Sequence, residues 1–155
     1  METGKKSILV ISHSQSGTME LMARHFVKGA SAEKKVDIID KRAADATLED
    51  LLSCRGIAIG SPEYFGYMAG MIKDFFDRTY EQARERTIGL PYSIFVCAGN
   101  DGRGAIAQIE RIAAGFKWRQ VQEHFRVVGK PTERNLSTLE ELGQTLATGV
   151  EMGIF

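Results

Sequence analysis

Short, unbroken apolar runs alternate along this chain with stretches of helical periodicity, and few folds accept that order. Lys6–Ser12 (KSILVIS) is rich in β-branched residues and reads as a buried strand. Thr18–Ala30 follows as a helix with Leu21, Met22, Phe26 and Val27 on one face and Gly29 near its end. Lys35–Asp40 alternates apolar and polar side chains as a short strand. Thr47 then caps a short helix through Leu52, with Glu49 and Asp50 in its first turn. Arg55–Gly60 is the third strand, Ser61–Tyr67 a loop, and Gly70–Tyr80 a helix striped by Met71, Ile72, Phe75 and Phe76. Tyr92–Ala98 is the fourth strand and Gly99–Gly104 a glycine-rich loop. Ala105–Phe116 is a helix on Ile106, Ile109, Ile112 and Ala113, and Val121–Val128 is the fifth strand. Ser137-Thr138-Leu139-Glu140 opens the last helix as a capping box. Alternating β and α units imply a parallel sheet covered on both faces. Right-handed crossovers then give a three-layer α/β/α, doubly wound, five-stranded parallel sheet. No repeat, low-complexity tract or linker divides residues 1–155, so a single domain is expected.

Composition narrows the function classes. Lys plus Arg and Asp plus Glu both number 20, giving zero formal net charge. Such a chain lacks the cationic excess that binds nucleic acid or an anionic membrane. No apolar run approaches the roughly 20 residues of a membrane span. The polar start, Met1–Lys6, and the short apolar stretch after it do not fit a secretion signal, so a cytoplasmic protein is expected. Cys54 and Cys97 belong to no CxxC or Cys/His cluster, which leaves no zinc or iron–sulfur site. Cys97 reads as a buried core thiol.

In doubly wound sheets, ligands bind beyond the carboxyl ends of the strands, where the strand order reverses. Three segments at those ends differ from ordinary connectors. The first, Ser12-His13-Ser14-Gln15-Ser16-Gly17-Thr18-Met19, leads from a buried strand into a helix N-terminus. Its amides and the hydroxyls of Ser14, Ser16 and Thr18 suit an anion held without a cationic side chain. Capping of the helix by one serine explains only one of those hydroxyls. The second, Ser61-Pro62-Glu63-Tyr64-Phe65-Gly66-Tyr67-Met68, offers aromatic faces to a planar group, although Phe65 and Tyr67 also read as packing residues. The third, Ala98-Gly99-Asn100-Asp101-Gly102-Arg103-Gly104, allows close backbone approach to a ligand or a plain tight turn.

Together these loops resemble those of the flavodoxin-like FMN proteins, nearest the branch of NAD(P)H:quinone oxidoreductases and FMN reductases related to the tryptophan-repressor-binding protein. Ser14 through Met19 is similar to that family's S-x-[ST]-G-x-x phosphate loop. Met19 stands where flavodoxins usually carry threonine, which removes one hydroxyl and keeps the amide. Gly60 through Gly70 (GSPEYFGYMAG) is similar to its G-[ST]-P-x-Y/R-F-G-x-M-x-G signature, and Lys73, Phe75, Asp77 and Arg78 fit the K-x-F-x-D-R continuation. The resemblance implies that Ser14, Gln15, Ser16, Gly17, Thr18 and Met19 cradle the FMN phosphate. It implies that Pro62, Glu63, Tyr64, Phe65 and Gly66 line the isoalloxazine ring, and that Ala98, Gly99, Asn100, Asp101 and Gly102 meet its pyrimidine side.

The same resemblance implies an FMN oxidoreductase with NADPH or NADH as donor and a quinone or similar small molecule as acceptor. The alternative is a flavodoxin-type one-electron carrier docking with redox proteins. Such carriers are strongly acidic as a family, whereas this chain is neutral. No Ser/His/Asp or Cys/His catalytic set is present. His13 reads as a surface or capping residue. Glu63 and Asp101 would shape the field around the ring and Arg103 would balance the charge of reduced flavin, against the more ordinary reading of each as solvated surface. The apolar cluster Tyr64, Phe65, Tyr67 and Met68 is compatible with a homodimer.

Overall fold

The computed structural model describes residues 4–155, so the first part of the polar start, residues 1–3, lies outside the described residues. In chain order the elements are β1 (Lys6–Ser12), α1 (Thr18–Ala30), β2 (Val36–Arg42), α2 (Leu48–Ser53), β3 (Ile57–Tyr64), β4 (Tyr67–Met68), α3 (Gly70–Ala83), β5 (Pro91–Ala98), α4 (Arg103–Phe116), β6 (Arg119–Gln120), β7 (Phe125–Val128) and α5 (Glu133–Met152). β1 lies between β2 and β3, and β3 pairs with β5, all in parallel. The chain therefore reverses its direction of travel across the sheet between β1 and β3. That reversal splays α1 and the β3–α3 connection apart at the carboxyl ends and opens a crevice there.

Two apolar cores flank the sheet. On one face Met22, Phe26, Leu139 and Leu146 of α1 and α5 cover Ile8, Val10 and Phe95. On the other, Leu51, Ile72, Phe75, Phe76, Ile109 and Phe116 of α2, α3 and α4 cover Leu9, Ile11, Ile59 and Val96. Successive residues of β1 thus face opposite cores, as the period of two requires. Each fully buried side chain of this size contributes about 1.5–3 kcal/mol. α1 and α5 touch backbone to backbone. A methyl group at Gly29 would overlap the Glu140 carbonyl, and one at Gly143 would overlap the Phe26 carbonyl. At their far ends, Lys6 Nζ donates to the carbonyls of Val150 and Glu151, both at 3.1 Å, and closes the C-terminus of α5.

The expected five strand positions are all present, with three corrections. The fifth is interrupted: β6 pairs with Pro91–Tyr92 and β7 with Phe95–Ala98, on the same flank of β5. In the gap, Gln122 Nε2 donates to Ser93 Oγ at 2.9 Å and to the Leu142 carbonyl at 3.2 Å, so a side chain stands in for the ladder. Second, the segment taken as the Ser61–Tyr67 loop continues β3 to Tyr64 and returns as the antiparallel β4, so the sheet is not wholly parallel. Third, the last helix begins at Glu133. Thr132 caps it, accepting from Asn135 N–H at 3.1 Å while Asn135 Oδ1 accepts from Thr132 N–H at 2.9 Å, and Ser137 lies inside the helix. Among the described residues no helix is long and apolar enough to cross a membrane.

Candidate functional site

The β1–α1 loop forms a turn around Gly17, whose φ of 100° suits glycine and strains any residue with a Cβ. Gly17 N–H donates to Ser14 Oγ at 3.0 Å, and Ser16 Oγ lies 3.5 Å from Thr18 Oγ1. The first intrahelical bond runs from Leu21 N–H to the Gly17 carbonyl at 3.1 Å, so the amides of Thr18, Met19 and Glu20 precede it and point out of the helix start. A methyl at Gly17 would meet nothing within 4 Å, so open space lies beside it. The Met19 side chain is buried in the core, so this residue offers the site its amide alone. His13 N–H donates to the Gly60 carbonyl at 3.3 Å, and its ring sets an edge against Tyr64 with centroids 6.3 Å apart. That contact joins the first loop to the second.

The second segment is a two-residue hairpin. Tyr64 pairs with Tyr67, and Phe65 and Gly66 make the turn with φ of 55° and 72°. Two positive φ values suit the twist of a tight hairpin, and placing a phenylalanine there costs about 1 kcal/mol. The result is a fully exposed aromatic ring at the lip of the crevice. Met68 is only 2% exposed and Tyr67 is half-buried, so the apolar patch compatible with a dimer shrinks to Phe65 and its surroundings. Burial raises the Tyr64 phenol above its ordinary value, and the nearby Cys97 thiol, itself pushed up to about 11 by burial, adds to this. Ser61 is wholly buried. Its Oγ donates to the Pro62 carbonyl at 2.7 Å and accepts from Ala69 N–H at 2.9 Å, fixing the hairpin to the start of α3.

Glu63 carries a role that no local sequence signal reveals. Its two carboxylate oxygens accept from Gly102 N–H and Ala105 N–H, each at 2.9 Å. The side chain thus caps α4 from 39 residues away and ties the hairpin to the third loop. Gly104 makes the contact close, since a methyl there would overlap the Gly66 carbonyl. In the third loop Gly102 is left-handed, at φ 87°, and the Arg126 guanidinium donates to the Asp101 carbonyl at 2.8 Å. Arg103 pairs with Asp101 at 2.7 Å rather than reaching toward the crevice. Gly99 borders open space.

The sequence-expected residues therefore converge. All three segments lie at the carboxyl ends of β1, β3 and β5 and are linked by His13–Tyr64 and Glu63–α4 contacts. Glu63 and Gly102 spend their polar groups on each other, and Pro62 is buried in β3 against Cys97. The K-x-F-x-D-R residues serve the fold instead. Phe75 is buried, Lys73 pairs with Asp77 at 2.9 Å, and Arg78 donates to the Ala43 and Ala46 carbonyls at 2.9 Å each. A separate recess of about 690 Å³ lies between α3 and α4, and its lining includes none of the first- or third-loop residues.

The donor set fits FMN. Amides of a helix start and neutral hydroxyls around an open, left-handed glycine suit a phosphate monoester. An aromatic hairpin and a glycine-bordered loop flank the space where a flat ring would lie.

A solved flavodoxin from the domain Archaea superposes with a TM-score of 0.84 at 25% identity, over 94% of this chain and 99% of its own. The fold is thus flavodoxin-like. Residues 19–132 match the family described as NADPH-dependent FMN reductase, and the chain belongs to that family. The NAD(P)H dehydrogenase (quinone) of Acidithiobacillus ferrooxidans is 30% identical over 145 residues, covering 80% of this chain and 70% of that protein. A flavodoxin of Aquifex aeolicus is 34% identical over 70 residues, 45% of this chain, and the match spans 38% of the Aquifex protein.

Proposed function

We propose that this chain binds FMN across the three carboxyl-end loops and works as an oxidoreductase, with NADPH or NADH as donor and a quinone or similar small molecule as acceptor. The observation that carries the proposal is the β1–α1 loop: outward amides at Thr18, Met19 and Glu20, hydroxyls at Ser14, Ser16 and Thr18, and a left-handed Gly17 with open space beside it. Ser14 through Met19 hold the phosphate, with Ser14 Oγ already oriented by the Gly17 amide. Tyr64, Phe65 and Gly66 border the ring, and Ala98 through Asp101 meet its polar edge. Pro62, Glu63 and Gly102 keep those two walls in register through the carboxylate bridge. FMN, when bound, supplies the redox chemistry. The exposed Phe65 side chain shields the ring from water and meets the acceptor or a second copy of the chain. A cytoplasmic setting and a homodimer belong to the same proposal. The two buried free thiols, Cys54 and Cys97, fit the first and exposed Phe65 and Met71 the second.

One observation favours a second reading, the one-electron carrier. The match to the archaeal flavodoxin covers 99% of that chain and 94% of this one. Anaerobic addition of NADPH, then NADH, to the FMN-loaded protein separates the two. Rapid loss of the oxidised flavin absorbance supports the reductase. Tight FMN binding without bleaching by either nucleotide supports the carrier, and absence of FMN binding overturns both.

A further inference from the structure

Beside the phosphate loop, on the side away from the aromatic hairpin, lies a separate cavity of about 280 Å³. Ser12 and Ser14 form its inner wall, and Glu20 and Arg24 of α1 and Asp40 and Arg42 of β2 complete it. It thus shares Ser14 with the phosphate cradle yet is bounded by the β2 edge, which the FMN reading does not use. Four charges of balanced sign meet here without neutralising one another. Among the described residues, the side chains of Glu20, Arg24 and Asp40 have no hydrogen-bond or ion-pair partner. Arg42 reaches only Asp45, at 3.7 Å, with its side chain 85% exposed. All four side chains reach solvent, and their free carboxylates and guanidiniums are open to a ligand that carries hydroxyls and a phosphate together. The inner serines and Asp40 suit sugar hydroxyls. The outer arginines suit a second phosphate besides the one at Gly17. Partial burial holds the Asp40 carboxyl somewhat above its ordinary value.

The placement is like that in the dinucleotide-binding class of doubly wound sheets, although the first loop here has one glycine instead of three. In that class an acidic side chain about 20 residues after the glycine loop takes ribose hydroxyls, or a nearby arginine takes a ribose phosphate. Asp40 stands 23 positions after Gly17, and Arg42 follows at the end of β2. We propose that this cavity binds the phosphorylated ribose of an adenine nucleotide, with Asp40 and Glu20 on the sugar hydroxyls and Arg24 and Arg42 on the phosphate. The inference rests on the FMN reading only for the source of that nucleotide. A 2′-phosphate is the mark of NADPH, whose other end would then reach the flavin ring. A 5′-phosphate is the mark of a dinucleotide flavin running on past the phosphate loop.

Calorimetric titration of the FMN-loaded protein with adenosine, 2′-AMP and 5′-AMP tests it. One of the two phosphates binds at least about tenfold tighter than adenosine, the gain of one charge-assisted anchor. Which one it is identifies the source. Replacing both arginines (R24A with R42A) removes that advantage, and D40N weakens binding of all three ligands. FMN affinity, measured in parallel by fluorescence quenching, stays unchanged in both variants because none of these side chains lies in the cradle. Equal binding of adenosine and both phosphates, or a preference that survives R24A/R42A, overturns the inference while leaving the FMN reading intact. Failure of the parent to bind FMN overturns that reading instead, and the nucleotide titration then proceeds on the same protein as purified.

Discussion

Replacing Glu63 removes two bonds at once, and their geometry sets the size of the effect. The carboxylate accepts from Gly102 and Ala105 amides at 2.9 Å each, within the range of strong charge-assisted bonds. Bonds of this type contribute about 1.5–3 kcal/mol each, but both amides sit at a helix start that water reaches once the side chain is gone, and loss of a helix cap costs about 0.5–2 kcal/mol. E63A is therefore expected to lose about 2 kcal/mol. For a chain of this size that lowers Tm by roughly 4–8 °C. E63Q keeps one acceptor oxygen and turns an amide donor toward the second N–H, so it falls between parent and E63A. The hairpin and the third loop form the two ring-side walls, so FMN affinity should drop about tenfold in E63A, equivalent to about 1.4 kcal/mol. Thermal unfolding without flavin, followed by far-ultraviolet circular dichroism, measures the first effect, and quenching of FMN fluorescence measures the second. An E63A protein that melts within a degree of the parent would refute the capping role. One that loses stability but binds FMN unchanged would show that the bridge holds α4 and nothing of the site.

Other perturbations have equally definite outcomes. G29A drives a methyl into the Glu140 backbone carbonyl, and the overpacking cost outweighs the gain of about 1 kcal/mol in helix propensity, so a net loss of about 2 kcal/mol is expected in urea unfolding. G115A, whose methyl meets the Tyr80 ring at an ordinary 3.7 Å, should unfold at the parent's midpoint or above. G17A forces alanine to φ 100°, which should cost about 1 kcal/mol of stability and weaken FMN binding without changing the core. His124 is buried against Tyr92, and that burial pushes its imidazole down to about 4. The unfolded chain takes up this proton below about pH 6.5 and the folded one only near pH 4, so stability declines between those values and levels off below them. H124Q should abolish that part of the acid limb in chemical denaturation at stepped pH.

The architecture was legible wherever one local pattern decided the outcome. β1 and α1 have the limits read from the sequence, because an apolar run and a one-faced helix are properties of adjacent residues. The fifth strand was not, because its break depends on Gln122 reaching Ser93 and Leu142, contacts that exist only after folding. The β3–β4 hairpin was hidden by Phe65, a poor residue for positive φ in any local preference. The start of α5 was misplaced because Thr132 caps through Asn135, whereas Ser137 with Glu140 matches the common box more closely. At the candidate site the three loops were legible from composition. Glu63 was not, since nothing near it in the chain indicates that its partners are Gly102 and Ala105.

The paired glycines between α1 and α5 also bear on how the chain comes into being. Gly29 emerges early in synthesis, whereas Glu140 and Gly143, whose backbones it meets, emerge near the end. Until α5 arrives, Met22 and Phe26 lack the covering of Leu139 and Leu146, and the face of the sheet that α1 and α5 share is only partly covered. Contacts of such long sequence separation slow folding and expose apolar surface to neighbouring chains in the interval. Damage to α5 should therefore appear first in the yield of soluble protein from growing cells, even when the purified product is well folded.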